Sequence, residues 1–431
     1  MNKQKGINAF LPAFGIKGWG IAIMGMAFYY FWQGPIHVAV NFYYAYFEQL
    51  FGWTNTQVST AVTIGLLMGV LGIFIWGPLN KKLGAKTVSI IGLLGGAVST
   101  MIFALSPSIV TLYIAVILFA FFAVGYSQIG VATFAANWFP RTRGMYMGMA
   151  TMGITASSAT FTLITSILVP KWGLLPTLAM FSAIMVVVAV LVALFAKNNP
   201  EEAGAWPDND KTVSREELLA EARAAEEYKK RSPWTLAAVL KCPYTWTIGI
   251  GWGLCMMAAG GFIAQLVPTL ISFGHDPNLG IILLSSMWPA GVLGNWIGGV
   301  VDNKFGTRTA SMIFAACEVL ACVGLVAMGS SVAVATVCTA VLMAAMSAFS
   351  NVTVSMVTNV FGRQDFENAW PVVSVPFKAV ESFGPLVISL VAAVTSFTVS
   401  YVVLAVALVV AIALMLATTT RQIGSQVHAG K

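Results

Sequence analysis

Met68–Thr87 reads MGVLGIFIWGPLNKKLGAKT, and Ala290–Thr309 reads AGVLGNWIGGVVDNKFGTRT. The two align without a gap at an offset of 222 residues, with nine of twenty positions identical. Gly69, Val70, Leu71 and Gly72 meet Gly291, Val292, Leu293 and Gly294, and Gly77, Lys82 and Gly84 meet Gly299, Lys304 and Gly306. A second set keeps the same offset: Asn137, Phe139 and Arg141 against Asn359, Phe361 and Arg363. In each copy a long apolar run meets a short basic loop, so the duplicated unit is a set of membrane helices.

Composition points the same way. With 58% hydrophobic and 9% charged residues and 40 glycines, the 431-residue chain is far more apolar than a soluble protein of its length. Twelve apolar stretches can cross a bilayer, near 16–38, 57–79, 86–106, 111–136, 144–168, 174–196, 244–272, 279–301, 308–329, 332–358, 371–395 and 399–420. Lys3, Lys5 and Lys17 precede the first, and no small-residue cleavage site follows before the polar Gln33–Asn41 stretch. It reads as a retained helix. Of the 23 Lys and Arg, 21 fall on one side if both termini are cytoplasmic, with Lys171 outside and Lys378 within a helix. The net charge of +7 then faces anionic lipid, and no nucleic-acid partner is implied. Cys242, Cys255, Cys317, Cys322 and Cys338 lack metal-ligand spacing, and structural disulfides are not expected.

The expected organisation is a six-helix bundle over 1–196, a cytoplasmic linker over 197–241 and a second six-helix bundle with its tail over 242–431. The linker holds nine acidic and eight basic side chains. Ser214 and Glu217 have capping-box spacing, which predicts a short surface helix over Arg215–Lys230 in a solvated connector.

GPLNKKLGAK at Gly77–Lys86 and GGVVDNKFGTR at Gly298–Arg308 resemble the signature loops of the major facilitator superfamily. The resemblance implies an all-α membrane protein, twelve transmembrane helices in two bundles related by a pseudo-two-fold along the membrane normal. It also makes these loops gating elements, carried here by Gly77, Lys82, Gly84, Asp302, Lys304, Gly306 and Arg308 with Arg141, Arg143 and Arg363. In that superfamily an acid three residues before the loop glycine latches one state. Here Lys81 and Asn303 hold that place, and Asp302 stands one residue early, opposite Asn80. Trp138–Gly144 (WFPRTRG), with Gly148 and Gly153, and Phe51–Trp53 with Gln57–Ser59 are similar to the oxalate/formate and monocarboxylate porters.

Charges in the bilayer need a reason, because each costs about 2.5–3.5 kcal/mol at its centre even on the lowest scale. Glu318, Lys378 and Glu381 lie inside spans, with titratable His37 near the outer end of the first. Lys378 and Glu381 are three apart on one helix face, between Pro376 and Pro385. A structural ion pair and a functional site both fit this spacing; two prolines in an otherwise charge-free bundle favour the site. With Phe383–Gly384 aligned, Lys378 takes the place of the porters' carboxylate-binding lysine. Their second cation, eleven residues before the loop glycine, is Asn295 here, so a two-cation clamp for a dicarboxylate is absent. What remains suits one carboxylate on Lys378, with neutral hydrogen bonds from Asn295. Glu381, with His37 as a candidate relay, supplies proton coupling. Glu318 is expected to make a buried hydrogen bond to a neighbouring helix, or to be the protonated acid.

Thr151, Thr155, Ser158, Thr162 and Ser166 form a polar stripe on the fifth helix, and Ser347, Asn351, Ser355 and Thr358 another on the tenth. Such stripes serve as helix-packing glue, while their midpoints, Ser158 and Asn351, can reach a cavity. Gln128 and Gln265 add polar contacts. Tyr43, Tyr44 and Tyr46 read as an interfacial belt, whereas Tyr29 and Trp32 are deep and three apart, suiting an apolar or aromatic monocarboxylate.

The expectation is therefore a monomeric inner-membrane carrier that moves a small organic anion, a monocarboxylate, by alternating access coupled to protons or a counter-anion. The rivals are a facilitator for a neutral or drug-like solute with Lys378–Glu381 as structure, and a non-transporting sensor of the same fold. No enzyme motif, cofactor site or metal cluster competes.

Overall fold

The two loop glycines adopt one backbone conformation in a computed structural model of the chain, Gly84 at φ 79°, ψ 160° and Gly306 at φ 82°, ψ 154°. The duplication is thus written into the backbone at positions that favour glycine. The structure describes residues 10–140, 142–210, 227, 232–362 and 365–423. Arg141, Arg363 and the predicted Ser214–Glu217 cap lie outside these residues, as does the side chain of Arg143.

Among the described residues, nine helices are long and apolar enough to cross a membrane. Asn55–Ala104 carries the second and third spans on either side of Gly84. The fourth is Ile109–Trp138, the fifth Arg143–Trp172 and the sixth Leu174–Phe195. The seventh runs through Pro243–Ala264 and Leu266–Ser272. Pro277–Ser286 and Trp288–Phe305, bent by 44°, make a broken eighth span. The ninth is Thr307–Met328 and the tenth Val332–Phe361. Phe366–Ser382 with Gly384–Val394 forms the eleventh, and Phe397–Ala417 the twelfth. The first begins at Phe10–Gln33 and passes through a π-turn at Gly34–Val38 into Val40–Phe51.

Contacts group the chain into two compact units, Met1–Val40 with Ile64–Glu221, and Asn41–Thr63 with Ala222–Lys431. In the first unit, spans one and five pack tightly. A Cβ at Gly153 would fall inside contact distance of the Met26 carbonyl, and one at Gly34 would enter the Phe161 ring. Small residues let these backbones approach. The π-turn at Gly34–Val38 contains Pro35, which lacks a donor, and closes through Ala39 N–H to the Gly34 carbonyl at 3.1 Å. Thr162 donates to the Val38 carbonyl at 3.0 Å, so this member of the fifth-span stripe ties two helices together. A second π-turn, Gly125–Gly130, interrupts the fourth span. The Trp76 indole donates to the Phe121 carbonyl at 2.8 Å, and its ring lies against Gly125, where a Cβ would come within 3.2 Å.

The start of the linker keeps many side chains exposed and is tied down at a few polar ones. Asn198 sits in the notch at Gly84 and accepts from Lys86 N–H at 2.9 Å, while Asn137 and Trp138 donate to the Asn198 and Lys197 carbonyls at 3.0 and 2.9 Å. Asp208 accepts from the Thr142 N–H at 2.9 Å and its hydroxyl at 2.5 Å, and Lys17 donates to the Ala203 carbonyl. Unmet backbone donors at the helix ends, rather than apolar contacts, recruit this polar strap.

In the second unit the seventh span is almost wholly buried, against the eleventh, twelfth and tenth. The repeated glycines face equivalent partners in the two units. A Cβ at Gly72 would meet Phe121 of the fourth span at an ordinary 3.5 Å, whereas one at Gly294 would overlap the backbone of Ala344 in the tenth. Asp302 accepts from Thr307 at 2.5 Å at the start of the ninth span, and Asn359 donates to the same hydroxyl at 2.7 Å. Arg308 turns to the Leu416 and Thr418 carbonyls at 3.5 and 3.3 Å. The signature-loop acid therefore ties the end of the eighth span to the first residue of the ninth through a hydroxyl.

Candidate functional site

The eleventh span carries Pro371 and Pro376 within its first helix and breaks at Phe383 before Pro385. On the face between these breaks, Lys378 Nζ donates to Glu381 Oε2 at 2.7 Å, with side chains 34% and 20% exposed. The ammonium also lies 5.2 Å from the Phe377 ring centroid. The pair is neutral in sum and open to solvent-sized partners, so each charge can exchange its partner.

Asn295 of the eighth span and Asn351 of the tenth meet: Asn351 Nδ2 donates to Asn295 Oδ1 at 2.8 Å, and both are exposed. One bond leaves the Asn295 amide donors and the Asn351 carbonyl with capacity for a ligand. Amides exposed at mid-span depth belong on a watered surface, since lipid offers them no partner.

In the first unit, the half-buried Tyr29 and Trp32 rings stand edge to face at 5.9 Å, and Trp32 lies 5.1 Å from the His37 ring. His37 occupies the first π-turn and half-buried Gln128 the second. Such single-turn insertions recur at functional sites. Ser158 is half-buried and returns its proton to the Ile154 carbonyl of its own helix at 3.1 Å. Cross-helix hydroxyl contacts are made instead by Thr160, with Tyr30 at 2.9 Å, and by Thr162.

Gln265 is placed differently from its expected role as a ligand contact. It is fully buried, and its Nε2 faces Ser59 at 2.7 Å, Asn55 at 2.9 Å, Tyr44 at 3.1 Å and the Pro385 carbonyl at 3.2 Å. Asn55 donates back to Gln265 Oε1 at 2.8 Å. The amide is saturated by protein groups, which leaves nothing for a solute. Nearby, Asn41 accepts from Val267 N–H at 3.1 Å and donates to the Ile263 carbonyl at 2.8 Å. In a continuous helix those two groups would bond each other; Asn41 satisfies both where the seventh span breaks. Tyr43 and Tyr44 are buried in this region, not set in an interfacial belt, because Tyr44 has polar partners there. Sequence reasoning missed this hub, whose members are about 200 residues apart.

Glu318 does not make the expected hydrogen bond. It is wholly buried, and neither carboxyl oxygen has a partner among the described residues.

The Major Facilitator Superfamily profile matches residues 18–332. A probable nitrate/nitrite transporter, NarK2, of Mycobacterium tuberculosis is 24% identical over 263 residues in two strains, CDC 1551 / Oshkosh and ATCC 25618 / H37Rv. That match spans 59% of this chain and 59% of the relative. Crystal structures of a bacterial homologue of the human lysosomal transporter Spinster, inward-facing and either unoccupied or occupied, superpose with TM-scores of 0.68 and 0.67 at 13% identity. They cover 93% and 92% of this chain and 95% and 96% of theirs, a likeness of fold.

Proposed function

Because the chain belongs to the Major Facilitator Superfamily, a family of multi-pass membrane transporters and not enzymes, we propose that it carries a small monovalent organic anion, a monocarboxylate, by alternating access. It works as a monomer in the inner membrane with both termini cytoplasmic, its bundles 1–196 and 242–431 moving about the 197–241 linker. The observation that carries this reading is the Lys378–Glu381 pair, a single exchangeable cation on a proline-bounded helix face.

Charge balance at that pair gives the coupling. With Glu381 ionised the empty site is neutral, and an arriving carboxylate must displace Glu381 from Lys378. The displaced site would hold a net negative charge unless Glu381 takes a proton, and an uncompensated charge at this depth costs about 2.5–3.5 kcal/mol. Anion and proton therefore enter together. The empty carrier, with Lys378 neutralised, can reorient alone, which favours net proton symport over obligate exchange with a counter-anion. Asn295 and Asn351 donate and accept neutral hydrogen bonds to the rest of the solute. Tyr29 and Trp32 present ring faces suited to an apolar or aromatic body.

A second reading, nitrate or nitrite, is favoured by the relative's name, since these are also small planar monovalent oxyanions. Uptake into proteoliposomes separates the two. Benzoate-like acids should compete better than nitrate or short aliphatic acids, and Lys378→Ala should abolish uptake. Undiminished transport by Lys378→Ala would instead make the pair structural and the solute neutral. Ligand binding without flux would mark a sensor.

A further inference from the structure

Glu318 is unused by the site above. It lies on the ninth span, which packs against the seventh, eighth, tenth and twelfth. Cys255 of the seventh span and Cys317 and Cys322 of its own are among the groups near it. Cys338 of the tenth lies near Cys322, as does Tyr401 of the twelfth, whose hydroxyl already pairs with Thr269 at 2.6 Å. No cation among these groups offers a counter-charge.

An ionised carboxylate sealed there without a counter-charge is disfavoured against the neutral acid. Even neutral, its O–H and C=O forgo hydrogen bonds, a penalty that an apolar residue filling the same space would not carry. Packing in this conformation thus gains nothing from the acid. Chemistry that requires a carboxyl is what remains to it.

We propose that Glu318 is a proton-binding site of the transport cycle, loaded in the conformation described and unloaded in another that admits water. The step is the ionisation of one O–H bond, with the proton passing to water and the electron pair staying on the carboxylate. This rests on the proton-coupled reading of the Lys378–Glu381 pair, from which it is separable by experiment.

The test uses purified full-length protein reconstituted in liposomes. Infrared difference spectra between wild type and Glu318→Gln should isolate a neutral carboxylic C=O band that shifts on transfer to D2O. Benzoate accumulation driven by an imposed pH gradient should fall about tenfold in Glu318→Gln, the change made by about 1.4 kcal/mol of lost coupling. Benzoate exchange at equal pH should persist. A missing band, a band that does not shift in D2O, or unchanged accumulation would overturn the proposal. If Glu318→Gln fails to fold, Glu318→Leu serves for the same comparisons, having no orphan oxygens to bury. A wild type that does not move benzoate would sink the anion reading, and the infrared result would still decide the proton site.

Discussion

Replacing Glu381 by Gln removes the competitor that holds Lys378 in the empty site. The 2.7 Å contact is charge-assisted, and such bonds contribute about 1.5–3 kcal/mol net when sheltered. The pair is partly exposed, 34% and 20%, so solvent screening lowers this to about 1–2 kcal/mol. Glu381→Gln should therefore bind benzoate about 5- to 30-fold more tightly near neutral pH. Under the proposed co-binding of anion and proton, wild-type binding should tighten as the proton concentration rises, and the variant, which has no proton to gain, should bind equally at acid and neutral pH. Ligand-induced shifts in melting temperature across pH measure both effects, because stabilisation reports affinity directly. The variant should also lose accumulation driven by a pH gradient while keeping exchange. Weaker binding in Glu381→Gln, or a pH dependence equal to the wild type's, would refute the competition argument.

Other substitutions probe the scaffold. Gly294→Ala would drive a Cβ into the backbone of Ala344, whereas Gly72→Ala adds only an ordinary contact with Phe121. The first should lower the melting temperature sharply and the second should leave it nearly unchanged, although the two glycines are copies of one another. Equal effects would remove the asymmetry from the packing account. Gln265→Leu should cost about 1–3 kcal/mol by orphaning partners among Asn55, Ser59 and Tyr44, readable as a lower melting temperature. A variant that melts with the wild type would show the hub to be dispensable.

The twelve spans and the family were legible because a helix that crosses lipid must satisfy its own backbone, which writes its length into the sequence. The loop glycines were legible because the same rare backbone angle is needed twice. Lys378 and Glu381 followed from a three-residue spacing on one helix face. The bond between Asn295 and Asn351 was hidden, since a polar stripe fixes which face a residue shares and leaves its partner on another helix open. Composition misled at Tyr43 and Tyr44, which are buried, and did not announce that Asn198 and Asp208 dock on helix-end backbone groups. Gln265 was unreadable because its partners lie far away in the chain. No local pattern announced that Glu318 would lack a bond, since that depends on what four other spans bring to it.

The turn at Gly125–Gly130 holds one residue more than a regular helix would need. Deleting a single residue there would let the ladder run straight while everything from Val131 to Trp138 kept its face, because the wide turn absorbs its own extra residue. A deletion between that turn and Trp138 would instead swing the helix end about 100° around its axis and take the Trp138 indole off the Lys197 carbonyl it now holds.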